Sequence, residues 1–495
     1  MRRAMMKMQR TLTLLAVLLP TFVLAQAPSN TTPEQSPPES ISKVEIKGKA
    51  PVNPETLKVK LPRPQETELR NGLRVYLLED HELPTFNLQF VVKGGGLADP
   101  AEKHGVAMVT ASLLKEGTKE RSSREIAEQL ATLGAYLTAG ASPSSGESGV
   151  MLSGLSEHFD PTLAIAADVL RNASFPQSEI DKFKTRFASQ LHYQRSLPSF
   201  LSQERFMSAI YDEHPGALIV PPDDVVAALS TADLTKYHQS FYHPKNMFVI
   251  AYGDLTLKQL TSKLEQALAG WDSGKPWNTP RYSVPAPEKA RVFIIDRPGS
   301  VQTSLRVGTL GITRDSEDYF PMVVMNYILG GSPASRLFAN LREDKGYTYG
   351  ASSTFTGSTF PGVVFATTDV RTEVTEGAMR ELIYEFKRIA QEPVSARELE
   401  NAKRALIGRF ALSLDSPQAL ISNLATQKIY GFPDDYWDTY PRLIEAVTPK
   451  DIQRVAAKYL DPQKLQIVAV GDAKSIVEFL KPFGAIEHAS PKAAP

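Results

Sequence analysis

Apolar and polar residues alternate in two matching blocks, one in each half of the chain. Residues 72–95, GLRVYLLEDHELPTFNLQFVVKGG, and 291–311, RVFIIDRPGSVQTSLRVGTLG, each run from an apolar stretch through a polar turn to a second apolar stretch. The pattern predicts a hairpin, or adjacent antiparallel strands, opening each half. Further along, the apolar period lengthens to that of an amphipathic helix, over 159–172 and again over 374–391. Strands followed by helices within one half predict an α+β domain, an antiparallel-rich mixed sheet covered by helices.

The halves are copies. ADLTKYHQSFYHPKNMFVIAYGD (232–254) aligns without gaps to KDIQRVAAKYLDPQKLQIVAVGD (450–472) at an offset of 218, matching Asp233 with Asp451, Pro244 with Pro462, and Gly253-Asp254 with Gly471-Asp472. Each copy reads as a helix, a proline-marked turn, a β-branched strand and a Gly-Asp turn. Upstream, an offset of 219 pairs Glu179 with Glu398, Pro198 with Pro417 and Tyr211 with Tyr430. A period this long excludes a solenoid and predicts two duplicated domains. Their limits are 64–272 and 291–485, joined by the proline-rich linker SGKPWNTPRYSVPAPEKA at 273–290.

The flanks have another composition. MRRAMMKMQR is basic, and TLTLLAVLLPTFVLAQA is a short apolar run ending in Val23-Leu24-Ala25, the form of a cleaved export signal over 1–25. The run contains Pro20 and is shorter than the roughly 20 residues that span a bilayer, so no stable membrane span is expected in the mature chain. Cleavage is expected after Ala25 or Ala27, and the expected destination is the bacterial periplasm. Residues 26–63, rich in Pro, Ser and Glu, read as an extended arm or linker, and 486–495 as a loose tail.

Charge and cysteine content narrow the chemistry. The 495 residues carry 55 basic and 55 acidic side chains with no basic stripe, which argues against nucleic acid as a partner. There is no cysteine, which removes disulfides, thiolate zinc sites, thiol nucleophiles and a lipidated start.

Taken with the duplication, two segments carry a resemblance: GVAMVTASLLKEGT (105–118) and GGSPASRLFANLREDKGYTYGASSTF (330–355). Together with Gly105-Val106-Ala107, Gly117-Thr118, His214-Pro215, Tyr242-x-Pro244-x-Asn246 and Ser335-Arg336-Leu337, they resemble the insulinase/pitrilysin-type peptidases, or inverzincins. The form is the two-domain one that includes the mitochondrial processing peptidase, and the likeness covers about residues 64–485. It implies that the chain is half of a clamshell.

Active members of that family carry H-x-x-E-H on the helix after the first glycine. Positions i, i+3 and i+4 share one helical face, so two imidazoles bind zinc while the glutamate handles water. In this chain those positions are Met108, Ala111 and Ser112, and Gln190 stands where a further glutamate ligand is expected. Thioether and amide are poor zinc ligands, and alanine is neither ligand nor base. None of the eight histidines restores the set: His104 precedes the helix, and His238 and His243 are five apart, off one helical face. No metal or other cofactor is expected in this chain.

The second half matches the family's other catalytic feature. Arg342 and Tyr349, seven apart in LREDKGYTYG, match the arginine–tyrosine pair that the family places opposite zinc. A guanidinium holds a substrate carbonyl with paired donors, and a phenol donates to the oxyanion. Gly346 permits the turn between them, Tyr347 reads as a packing residue, and Gly330-Gly331-Ser332 reads as a substrate-side loop or the start of a helix. The resemblance therefore implies the metal-free subunit of a heterodimeric zinc endopeptidase. Its partner is a homologous subunit with intact H-x-x-E-H and bound zinc, and its substrates are unfolded peptides. A catalytically inactive peptide-binding or scaffold pseudopeptidase is the alternative.

Overall fold

The computed structural model describes residues 57–280 and 282–489. The expected export signal, most of the arm and residues 490–495 of the tail lie outside the described residues. The body holds two six-stranded sheets. In the first, β1 (Gln65–Glu68), β2 (Arg74–Glu79), β3 (Thr85–Lys93), β4 (Tyr136–Ala141), β5 (Glu147–Leu155) and β6 (Met247–Gly253) lie in the order β1-β2-β6-β3-β5-β4. In the second, β7 (Arg291–Asp296), β8 (Gln302–Leu310), β9 (Thr348–Phe355), β10 (Val363–Arg371), β11 (Gln466–Gly471) and β12 (Ala485–Ala489) lie in the order β12-β7-β11-β8-β10-β9.

The expected hairpins do not form. β6 runs between β2 and β3, parallel to the first and antiparallel to the second, with Ile250 opposite both Tyr76 and Gln89. β11 separates β7 from β8 in the same way. The reason lies in the strand MFVIAYG, which is buried along nearly its whole length and therefore needs a neighbour on each side and cover on each face. The short turns after β2 and β7 span the resulting gap of about 9.6 Å, two strand spacings. The outermost slot also breaks the duplication: β1 pairs antiparallel with β2, whereas β12 pairs parallel with β7. Residues 486–489, expected in the tail, are thus strand, because the open edge of β7 supplies backbone partners that the sequence pattern does not reveal.

Each half covers one face of its sheet with its own helices, among them α1 (Val106–Leu113), α2 (Ser123–Thr132), α3 (Phe159–Asn172) and α4 (Gln177–Arg195) in the first half. The other face is covered by exchange. Helix α5 (Pro198–Tyr211) lies on the second sheet, where Phe206 meets Phe365 with ring centroids 5.5 Å apart and the Tyr211 hydroxyl donates to the Pro361 carbonyl at 2.9 Å. Its duplicate, helix Pro417–Tyr430, lies on the first sheet with Leu420, Ile421 and Leu424 against Tyr76, Leu78 and Ile250. Both helices begin with proline, which supplies the φ of a first helical turn and lacks a donor that the turn would leave unused.

The linker is packed down as well. Trp277 N–H donates to Asn246 Oδ1 at 2.6 Å, Tyr282 to the Leu97 carbonyl at 3.1 Å, and Val284 is buried between the halves. The last residues of the arm are pinned too: Leu61 is buried, its N–H donates to Asp438 Oδ1 at 2.9 Å, and Arg63 pairs with the same carboxylate.

Candidate functional site

Helix α1 carries three of the four expected zinc-motif positions. Asp99 caps it, accepting from Gly105 N–H and, at 2.9 Å, from Ala107 N–H. Burial pushes the Asp99 carboxyl up to about 7, against the pull of those two bonds. Met108 is half-buried against the first core, and Ala111 has no exposed surface. The Ser112 hydroxyl donates to the Met108 carbonyl at 2.8 Å, which spends its proton inside the helix. Gln190 lies on the exposed side of α4, a helix that touches α1. Among the described residues no three His, Asp or Glu side chains are grouped to hold a metal ion. The histidines are dispersed. His238 is buried, with Nε2 2.9 Å from the Leu170 carbonyl, and His214 accepts from Gly216 N–H at 2.8 Å.

Arg342 and Tyr349 sit on either side of one turn. Residues Arg336–Phe338 start a helix that widens into a π-helical segment, Ala339–Asp344, carrying Arg342. Such widened turns recur at functional sites. The Arg342 guanidinium is exposed and lies 4.8 Å from the centre of the Phe338 ring. Gly346 takes φ 62°, and Tyr347 N–H then bonds back to the Leu341 carbonyl at 2.9 Å, closing the turn. Tyr347 packs on the second core just before β9 begins, while Tyr349, on β9, is 90% exposed. The strand starts between them, which is why the two phenols part. β9 is the free edge of its sheet, and its register with β10 shifts beside Asp369.

A pocket of about 530 Å³ adjoins the turn, lined by Gly330, Gly331, Ser332, Phe338, Ser352 and Asp369, and by Ser199 from α5. The glycine loop forms its wall, and a Cβ on Gly330 would fall 2.2 Å from the Ser353 nitrogen, so the loop lies on β9 itself. Phe338 serves both pocket and guanidinium.

The braces behind this turn escaped the sequence reading. Arg336 is buried and forms two parallel bonds of 2.8 Å to Glu398, on helix Ala396–Ser413. Asn340 donates to Glu385 at 2.9 Å and Glu381 at 3.0 Å, both on helix Thr375–Gln391, and Lys345 meets Glu381 at 2.9 Å. Burial is the largest single influence and raises the Glu398 carboxyl, but the hydrogen bonds and charge of Arg336, the Ser395 backbone N–H and the charge of Arg388 together outweigh it and the net shift is downward. Ser335-Arg336-Leu337 and the pairing of Glu398 with Glu179 were visible in the chain; that the two features touch was not.

Two family models match this sequence in tandem. Residues 74–221 match the family described as Insulinase (Peptidase family M16), and residues 228–406 match the Peptidase M16 inactive domain. The chain belongs to the insulinase family, M16. The match to the family's inactive domain supports a non-catalytic member. It is 23% identical to an uncharacterized zinc protease, YmxG, of Bacillus subtilis, covering 71% of this chain and 85% of that one. To the non-peptidase homolog YmxG of Helicobacter pylori it is 22% identical, covering 80% and 91%. A solved peptidase M16 inactive domain from Pseudomonas fluorescens superposes with TM-score 0.77 and 28% identity, covering 83% of this chain and 98% of that one. A Helicobacter pylori protease shares the fold with TM-score 0.76 at 18% identity, covering 83% and 100%. Among the described residues no helix is long and apolar enough to cross a membrane.

Proposed function

We propose that this M16 chain is the metal-free subunit of a heterodimeric zinc endopeptidase that acts on unfolded peptides in a bacterial periplasm. The observation that carries the reading is an asymmetry within one chain. The ligand positions are occupied by side chains that cannot hold zinc, while Arg342 and Tyr349 stand exposed on a turn braced by Arg336–Glu398 and Asn340–Glu385. Bracing of this kind keeps donors aimed without reorganisation during reaction. Arg342 holds the substrate carbonyl with paired N–H donors, and the Tyr349 hydroxyl donates to the oxygen that gains charge as the peptide bond is attacked. Zinc, its water and the base belong to the homologous partner with intact H-x-x-E-H.

The Helicobacter pylori relative, a non-peptidase homolog by name, favours a second reading, a peptide-binding pseudopeptidase. Affinity purification of the tagged mature chain from its own host separates the two. A one-to-one partner bearing H-x-x-E-H supports the split enzyme. In that complex Tyr349→Phe is expected to lower kcat by roughly 10²–10³, the worth of an oxyanion donor, and Arg342→Ala to lower kcat/KM. Recovery of the chain alone, or an Arg342→Ala complex within twofold of wild type, leaves the pseudopeptidase.

A further inference from the structure

The duplication extends to a pair of grooves, and among the described residues only one of them is filled. On the first sheet a groove runs beside the exchanged helix Pro417–Tyr430, walled by Leu78, Leu420, Leu424, Gln427 and Trp437. The arm residues Leu61–Pro64 lie in it, and about 20 Å³ remains. On the second sheet the corresponding positions are Ile295, Leu201, Arg205, Ser208 and Leu218, at an offset of 217 for the strand residue and 219 for the others. All five line a pocket beside α5, and that pocket holds about 710 Å³.

Local sequence accounts for the opening. Trp437 reaches its groove from a helix, Tyr436–Glu445. In the first half the matching stretch contains Val220-Pro221-Pro222, where successive prolines remove two amide donors and push the preceding residue off the helical region. Residues 218–222 are not helical, and Leu218, which matches Trp437 at the offset of 219, lines the pocket instead.

The charge left in the pocket is acidic. Arg195 is taken by Glu204 at 3.1 Å and Asp223 at 3.8 Å, and Arg205, 4.1 Å over the Phe293 ring, is paired with Glu487 at 3.9 Å. Asp212 and Asp224 line the pocket without an ion pair among the described residues. In the filled groove the occupant's Arg63 is met by Asp438 and by the Asp434 carbonyl. The route of entry differs too. The arm reaches the first groove because it leads into β1, which runs antiparallel to β2. β12 occupies the same slot but runs parallel to β7, so the residues before it lie at the far end and Ala489, its last residue, lines the pocket.

We infer that the α5 pocket docks an extended segment of a second protein with the chemistry of Leu61–Pro64: an apolar residue and proline followed by a basic side chain that meets Asp212 and Asp224. The inference does not depend on catalysis at Arg342. Its test is fluorescence anisotropy of the full chain with a labelled peptide LKVKLPRP, the sequence of residues 57–64. Saturable binding is expected, weakened about tenfold or more by Asp224→Asn and by an LKVKLPEP peptide. Absence of saturable binding to millimolar peptide overturns the inference. Unchanged affinity in Asp224→Asn, with a native far-UV spectrum, overturns it as well. Binding seen only after the chain is cut beyond Ala489 assigns the pocket to this chain's own residues 490–495 and overturns the second protein.

Discussion

Replacing Phe206 by alanine tests whether the exchanged helices bind the two halves into one cooperative unit. Phe206 belongs to the first half by sequence, has no exposed surface, and packs on Phe365 of the second sheet. Truncating a buried phenylalanine costs about 3–5 kcal/mol, of which an aromatic pair contributes about 0.5–1.5. A value near 4 kcal/mol is a large share of a typical 5–15 kcal/mol and raises the unfolded fraction about 10³-fold. The assay is hydrogen exchange of the full chain followed by mass spectrometry. Peptides from β8, β10 and β11, all in the second half, are expected to lose as much protection as α5 itself. If α5 loses protection while those strands keep wild-type rates, the halves are independent domains in contact and the exchange is decorative. A loss below about 1 kcal/mol would refute the packing argument directly.

Other outcomes follow from single groups. His238 is held neutral by burial, its pKa depressed from 6.5 to about 4; the unfolded chain takes up that proton first, so stability falls by about 3 kcal/mol as pH drops from 6.5 to 4. His238→Phe is expected to flatten that part of a urea-midpoint against pH profile, and an unchanged slope refutes the assignment. Glu398→Gln is expected to cost about 2 kcal/mol at pH 7 by breaking the charge-assisted pair with Arg336. Because the Glu398 pKa is lowered, its contribution is present above the ordinary carboxylate value and vanishes as pH falls through the folded one, so variant and wild type converge in acid. Rebuilding the motif as Met108→His, Ala111→Glu and Ser112→His is expected to lower the melting temperature without stoichiometric zinc, since position 111 has no exposed surface and a carboxylate there lacks solvent. One zinc per chain by elemental analysis contradicts that expectation.

Much of this protein was legible in its chain. The duplication shows as windows that repeat at a fixed offset, and the helix–turn–strand units and the placing of Arg342 and Tyr349 on either side of one turn depend on residues close in sequence, so periodicity and spacing report them well. Tertiary structure decided what no local pattern encodes. MFVIAYG reads as a buried strand, but only the assembled sheet sets it between β2 and β3. The apolar face of α5 announces that it must be covered, not that the sheet covering it belongs to the other half. The Arg336–Glu398 brace joins residues 62 apart, and β12 forms because β7 leaves an edge open. Amphipathic patterning specifies how much surface an element must bury, whereas the surface it meets is chosen by the packing of all the elements together.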